Sequence, residues 1–467
     1  MNKIILPLLL FLIICFIPTP ETITFNGWIY FALFVAVIAA LIMEPLPSAA
    51  IGIIGVTLAA VFRLVYTNPS DSCKWALSGF SNSTIWLIFI GFMFALAFEK
   101  TGLGKRIALL LIRMFGKRSI FLGYIITFTN FLMSPFIPTN TGRNAGVIYP
   151  IISNIPPLYG SFPDKGQAKI GSYLMWTSFS MDCVISSFFL TALAPNLLVI
   201  SLAERVANIS WVDWLVGFLP VGIVLLIIIP FIIYIIYPPE IKKSENAVNF
   251  AKAELSKMGG FKKTELYLIC LMFIALILWI TGSSFINSTI VALLVLSLML
   301  IFNIITWDDV LSNKKGWNIL VWFGTLVTLA DGLYKVGIIT WIAEFTGKFI
   351  QSINYVYLSI VVILFVFYFI HYGFASMTAH VTAIFPIFLE IIIKIPGISP
   401  KAAVLMLGYL VGLFGVLTPY ATGPAPIYFG SNYISKQDFW KLGFIFGLLY
   451  FIIYIFIEIF WLRFVFS

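Results

Sequence analysis

Charge is scarce in this chain. Asp, Glu, Lys and Arg make up 10% of its 467 residues, and histidine occurs only twice. A soluble domain carries about a quarter charged residues. A water-exposed globule is excluded, because too little polar surface exists to cover it. Neither histidine lies near an HExxH pattern, so a membrane-embedded metalloenzyme lacks ligands at helical spacing. Cysteine is equally sparse. Cys15, Cys73, Cys183 and Cys270 show neither CxxC nor metal-ligand spacing. They imply no disulfide framework, and a free thiol in an apolar segment acts as a small hydrophobe.

Apolar residues fill the space instead, at 61% of the chain, with 46 phenylalanines. No aromatic stripe asks for a cofactor, and none is expected. Runs such as 212–237, 266–280 with its flanks, and 442–465 reach membrane-spanning length. The class predicted is an all-α polytopic membrane protein, with the lipid bilayer as its solvent. Residues 1–18 carry a lysine, an apolar core and a proline, but no small-x-small cleavage site follows. They read as part of an N-terminal membrane helix within 1–26 rather than a cleaved signal.

Lysine and arginine fall on alternate loops. The larger set runs through Lys3, the 100–118 stretch, Lys165 and Lys169, the loop 239–264, Lys314 and Lys315, and Lys436 and Lys441. The smaller holds Arg63, Lys74, Arg205, Lys335, Lys348, Lys394, Lys401 and Arg463. The richer side is cytoplasmic by the positive-inside rule. This reading puts the N-terminus in the cytoplasm and the protein in the cytoplasmic (inner) membrane as a multi-pass chain. The net charge of +9 is thus a topology signal and implies no nucleic acid partner. The loop 239–264 reads as a cytoplasmic linker between halves 27–238 and 265–467.

Those halves echo each other. IWLIFIGFMFALAFEKTGL (85–103) matches ILVWFGTLVTLADGLYKVGI (319–338). TNTGRNAGVIYPI (139–151) matches SMTAHVTAIFPIF (376–388), with the following proline one residue closer in the second copy. TALAP (191–195) matches TGPAP (422–426). An odd number of crossings between the copies makes them inverted repeats. Secondary transporters have this symmetry, with the substrate at the repeat interface. A channel can share it; an enzyme or a scaffold has no need of it.

The polar stretch PTNTGRNAGVIYP lies beside a largely apolar run, 120–136. Pro135 and Pro138 would stop the inbound helix, and a second helix would leave through 147–152. This predicts a re-entrant hairpin with a polar tip, tolerated at membrane depth only in protein or beside a wet cavity. A helix starting near Thr141 offers a positive dipole end. Thr139, Asn140 and Thr141 add neutral donors suited to a carboxylate. Ser376, Met377 and Thr378 would supply the matching tip, so that two facing tips would hold a molecule with an anionic group at each end. TALAPN and TPYATGPAP read as breaks within spanning helices, with Thr191, Pro195, Thr422 and Pro424 as candidate contacts. The alternative for each break is a proline kink that serves packing alone.

SPFIPTNTGR…GVIYPI, FASMTAHVTAIFPIF and LTPYATGPAPIYFGSNYI together resemble the divalent anion/sodium symporter family. The likeness is strongest to its bacterial and plastid dicarboxylate and citrate exchangers, and runs from about Gly27 to the C-terminus. The resemblance implies about eleven membrane helices plus two opposed hairpins, a homodimer, and a scaffold beside an elevator-type transport domain. It also implies that two Ser-Asn-Thr tips hold the dicarboxylate. Here Met377 stands where the second tip has asparagine. Pro135 and Tyr372 stand where sodium-coupled members have serine. These departures weaken a sodium site more than a carboxylate site, although Ser134 lies one residue from the expected serine. A coupling Na+, if present, would sit near Ser134, Asn140, Ser376 and Ala421.

Two charged sites stay open at this stage. Arg143 either meets a substrate carboxylate or pairs with Asp182, since a mid-bilayer charge must face something. His380 either donates to substrate or packs; His371 reads as a packing residue, and Glu390 and Glu458 as paired or snorkelling. The expected function is secondary transport of a small dicarboxylate such as malate, succinate or 2-oxoglutarate by exchange. Sodium-coupled symport of dicarboxylate or sulfate is the alternative.

Overall fold

The computed structural model describes residues 2–466 apart from Ser283, Ala343 and 345–355. Lys348 of the smaller basic set lies outside the described residues. Every regular element described is helical, save an isolated antiparallel bridge between Arg118 and Lys243. Among the described residues, six helices are long and apolar enough to cross a bilayer: Phe25–Met43, Ser83–Thr101, Trp211–Ile236, Lys263–Thr281, Val356–Gly373 and Lys436–Val465. A helix satisfies its own backbone in hydrocarbon, which is why apolar runs of this length take that form. Their ends carry explicit stops and starts. The Asn82 side chain accepts from Thr84 and Ile85 N–H, and Gly102 at φ 75 closes the same helix. Ser210 and Asp213 form a reciprocal capping box before Trp211–Ile236.

Shorter apolar helices accompany these six. Two of them, Ser119–Met133 and Met377–Ile392, belong to the hairpins, and two, Ala194–Ala203 and Pro400–Val416, to helices interrupted midway. The centre of the molecule is Gly171–Phe188, buried at all 18 residues. It packs against Ser119–Met133, Trp211–Ile236 and Pro400–Leu413. A buried hydroxyl costs energy unless it is bonded. Ser187 accordingly donates to the Tyr409 carbonyl at 2.7 Å, and Tyr450 donates to the Ser180 carbonyl at 3.1 Å. Gly412 permits this close approach: a Cβ there would stand 2.7 Å from Ser187 N and 3.0 Å from Cys183 O.

The N-terminal helix Asn2–Phe16 lies along Phe25–Met43, held by the Trp28 indole N–H donating to Ile14 O at 2.9 Å. The echoing stretches 85–103 and 319–338 begin in and run just past Ser83–Thr101 and Lys314–Lys335, which pack against each other. The basic segment 239–264 is more than the loop expected. It holds the helix Glu245–Met258, docked on Leu103–Phe115. Lys105 meets Glu254 at 2.9 Å and Arg106 meets Glu265 at 2.8 Å. Arg106 also donates to the Gly259 and Gly260 carbonyls, at 2.8 and 3.1 Å. The apolar face of that helix has to be covered, and the facing helix covers it.

Candidate functional site

The inbound helix of the first hairpin stops at Met133, ahead of Pro135 and Pro138. The outbound helix begins at Asn140, one residue before the expected start, because Thr139 caps it. Its hydroxyl oxygen accepts from Gly142 N–H at 3.2 Å. The second hairpin descends through Val356–Phe369 and a 3-10 turn, Ile370–Gly373, and its outbound helix Met377–Ile392 is capped by Ser376. There Ser376 Oγ accepts from Ala379 N–H at 3.3 Å.

The two tips share one local geometry. Thr139 has φ −136 and ψ 112; Ser376 has φ −145 and ψ 125. Arg143 N donates to Thr139 O at 3.0 Å, and His380 N to Ser376 O at 3.1 Å. The one-residue difference in proline spacing also has its structural cause. Asn144–Ile148 in the first copy forms a π-turn, which takes up one extra residue within a helix. The second copy runs as uninterrupted α-helix through Pro386.

Both interrupted helices break where the prolines fall. Gly171–Phe188 gives way to extended backbone at Phe189 and Leu193 around a 3-10 turn, and Ala194–Ala203 follows. Pro400–Leu413 passes into Phe414–Val416 and then turns until Ala425–Gly430. Pro195 lies in the first turn of Ala194–Ala203, and Pro424 caps Ala425–Gly430. Proline is pre-shaped for a helix start, where its missing N–H costs nothing.

The tips seat against the breaks. Asn140 Nδ2 donates to Thr422 Oγ1 at 2.5 Å. A Cβ on Gly423 would overlap Thr141 Oγ1, and one on Gly415 would overlap Met377 Cε. The second break thus touches Asn140 and Thr141 of the first tip and Met377 of the second. Ala194–Ala203, which follows the first break, packs on Met377–Ile392 behind the second tip. Asn140, Met377, Thr378, Thr191 and Thr422 are buried; Thr139, Thr141 and Ser376 are partly open. Each outbound helix aims the positive end of its dipole at its tip. Thr139 also lines a cavity of about 650 Å³.

Arg143 is fully buried. Its Nε donates to Asn130 Oδ1 at 2.9 Å, and Nη1 to the carbonyls of Ile137, at 2.6 Å, and Ala192. Nη2 reaches Ser186 Oγ at 3.2 Å and Asp182 Oδ1 at 3.5 Å. Of the two readings left open by the sequence, the Asp182 pair is the one seen. Asn130 joins it by donating to Asp182 Oδ1 at 2.9 Å. Arg143 thus ties the first hairpin turn to the first break. Thr191 reinforces the tie, donating to Pro135 O at 2.5 Å and accepting from Trp211 Nε1 at 3.1 Å.

His380 is also buried. Its Nδ1 lies 3.2 Å from Nδ1 of His371, whose Nε2 lies 3.0 Å from Ala421 O. Phe367 and Phe414 surround the His380 ring. His371, expected only to pack, therefore links the second hairpin to the second break. The atoms expected near a coupling Na+ have protein partners. Ser134 Oγ donates to Phe131 O at 2.8 Å, Asn140 Oδ1 accepts from Thr141 N at 2.9 Å, Ser376 Oγ accepts from Ala379 N, and Ala421 O faces His371. Glu390 pairs with Lys394 at 3.9 Å, while both carboxyl oxygens of Glu458 are buried without a hydrogen-bond partner among the described residues.

One cluster escaped sequence reasoning. Asn144, in the π-turn, accepts from Ser178 Oγ at 3.2 Å and from the Tyr428 hydroxyl, and Ser178 and Tyr428 lie 2.7 Å apart. It locks the first hairpin to both interrupted helices. Its members are single polar residues in three distant segments; the lone signal was an asparagine beside an arginine at membrane depth.

An all-helical membrane fold with two capped hairpins beside two interrupted helices defines a secondary-transporter class. The match to the sodium:sulfate symporter transmembrane region spans residues 1–467, so the chain belongs to the divalent anion/sodium symporter family. It is a multi-pass membrane transporter and not an enzyme. Among its relatives is the L-tartrate/succinate antiporter of Escherichia coli O157:H7, 42% identical over 471 residues, covering 98% of this chain and 96% of that one. The antiporters of the same description from Escherichia coli strain K12 and Shigella flexneri are each 41% identical at the same coverage. Two solved transporters share the fold at low identity. The Alcanivorax borkumensis YdaH transporter aligns with a TM-score of 0.55 and 12% identity, over 89% of this chain and 97% of that one. Neisseria gonorrhoeae MtrF aligns at 0.59 and 13%, over 88% and 94%.

Proposed function

We propose that this protein exchanges small dicarboxylates of the tartrate and succinate type across the cytoplasmic membrane. The malate and 2-oxoglutarate class is included. The two hairpins are inverted-repeat partners that enter from opposite faces, within a dimer of scaffold and elevator-type transport domains. The substrate lies between the tips. Thr139, Asn140 and Thr141 face one carboxylate, and Ser376 and Thr378 the other, with Thr422 holding Asn140 in position. Two dipole ends of about half a charge each, together about one positive charge, face the site and attract a dianion.

One observation carries exchange over sodium coupling. Three carbonyls at the hairpin turn and the breaks already face side-chain nitrogens of the chain: Ile137 and Ala192 face Arg143, and Ala421 faces His371. A coupling cation needs such oxygens to replace its water. The relatives named as antiporters support the same reading.

The test is uptake of labelled succinate into proteoliposomes. Uptake is expected to require internal dicarboxylate and to ignore a sodium gradient. Sodium-driven uptake into liposomes without internal acid would replace exchange by symport, and no dicarboxylate uptake under either condition would end the reading.

A further inference from the structure

We propose that the cavity beside the first tip is a docking subsite for one substrate carboxylate on the lysine-rich face, with Lys315 as its cation. The inference rests on the dicarboxylate reading above. The lining includes Thr139, Glu44, Lys315, Asn318 and Trp322, and the volume of about 650 Å³ falls in the usual range for small-molecule sites. Lys315, Asn318 and Trp322 stand three and four residues apart on Lys314–Lys335, so one face of that helix carries all three. Each keeps an unused N–H. Among the described residues, Lys315 and Asn318 are exposed and make no ion pair or side-chain hydrogen bond, and the buried indole N–H of Trp322 has no partner. The Lys315 ammonium and the Asn318 amide on that wall are donors open to an acceptor. Thr139 joins this wall to the tip, so an anion held at Lys315 is already beside the first carboxylate site.

Helix stability does not explain Lys315. A cation in the first turn opposes the helix dipole. Lys315 also belongs to the lysine-rich set, which the positive-inside rule puts in the cytoplasm. The subsite therefore serves substrate arriving from that face alone. Glu44, the acidic residue of the lining, repels the same anion and limits how tightly it is held before it moves on.

Succinate exchange measured in right-side-out and inverted membrane vesicles tests this. Lys315→Gln is expected to raise apparent KM about fivefold for substrate on the lysine-rich face, the size of one partly exposed ion pair, with KM on the opposite face unchanged. The shift should shrink as ionic strength rises. Glu44→Gln should lower the same KM. Lys315→Arg, and Lys314→Gln outside the lining, should match wild type; the latter removes an equal topology charge. An unchanged KM on both faces for Lys315→Gln, or an equal rise on both, would overturn the subsite while leaving the dicarboxylate reading intact. Wild-type vesicles without succinate exchange would remove both.

Discussion

At the scale of single residues, the chain separates side chains that hold the site from those that face it. Arg143 holds. Its guanidinium is spent on Asn130, Ser186, Asp182 and two carbonyls, all buried. Removing one partner of a buried ion pair strands the other and costs about 3–5 kcal/mol. Arg143→Ala is therefore expected to lower the yield of monodisperse protein and its melting temperature, with transport lost as a consequence. Asn140 and Thr378 face the proposed substrate. Asn140→Ala and Thr378→Ala should each abolish succinate exchange while size-exclusion profile and melting stay near wild type. Wild-type kinetics in both would remove the tips from the mechanism.

At the scale of elements, the unit that matters is a tip seated against a break. Gly423 is the contact that sets their spacing, because any Cβ there meets Thr141 Oγ1. Overpacking of a tight contact costs about 1–3 kcal/mol. Gly423→Ala should push the first tip off the second break and stretch the Asn140–Thr422 hydrogen bond. The expected result is a severalfold loss in exchange rate with the protein still folded, read by counterflow beside a melting curve. Full activity would show that the contact is not needed. The π-turn belongs to this scale too. It lets the first copy keep one more residue between tip and proline and turns Asn144 toward Ser178 and Tyr428.

At the scale of the whole molecule, most charge lies at the faces, with the Arg143–Asp182 pair and Glu458 buried inside. On the lysine-rich face, hydrogen bonds from Lys257 and Lys105 hold the Glu254 carboxyl down at about 2, and Lys100 and Thr306 hold Asp309 at about 2. A depressed carboxylate favours the folded state at pH above its unfolded value. That contribution fades as pH falls toward the folded value. Melting temperature in detergent should thus stay level from about pH 6 to 8 and decline below about pH 4, the ordinary carboxylate range. The double variant Glu254→Gln, Asp309→Asn should begin lower and lose part of that decline. An unaltered pH profile in the variant would mean these pairs contribute nothing to stability.

The order of the residues by itself determined the membrane class, the two proline-bounded polar stretches and their echo 237 positions apart, from Thr139 to Ser376. Those features depend on neighbours within about a dozen residues, where hydropathy, proline and capping hydroxyls act directly. Tertiary structure alone decided what the tips touch. Asn140 and Thr422 are 282 residues apart, and no local propensity pairs them. The role of Arg143 was undecided in the sequence for the same reason. A buried cation must find a partner, but which partner depends on how the helices pack. The docked helix 245–258 and the Asn144–Ser178–Tyr428 cluster likewise exist only once distant segments are packed, since burial creates the demand that each polar group be met.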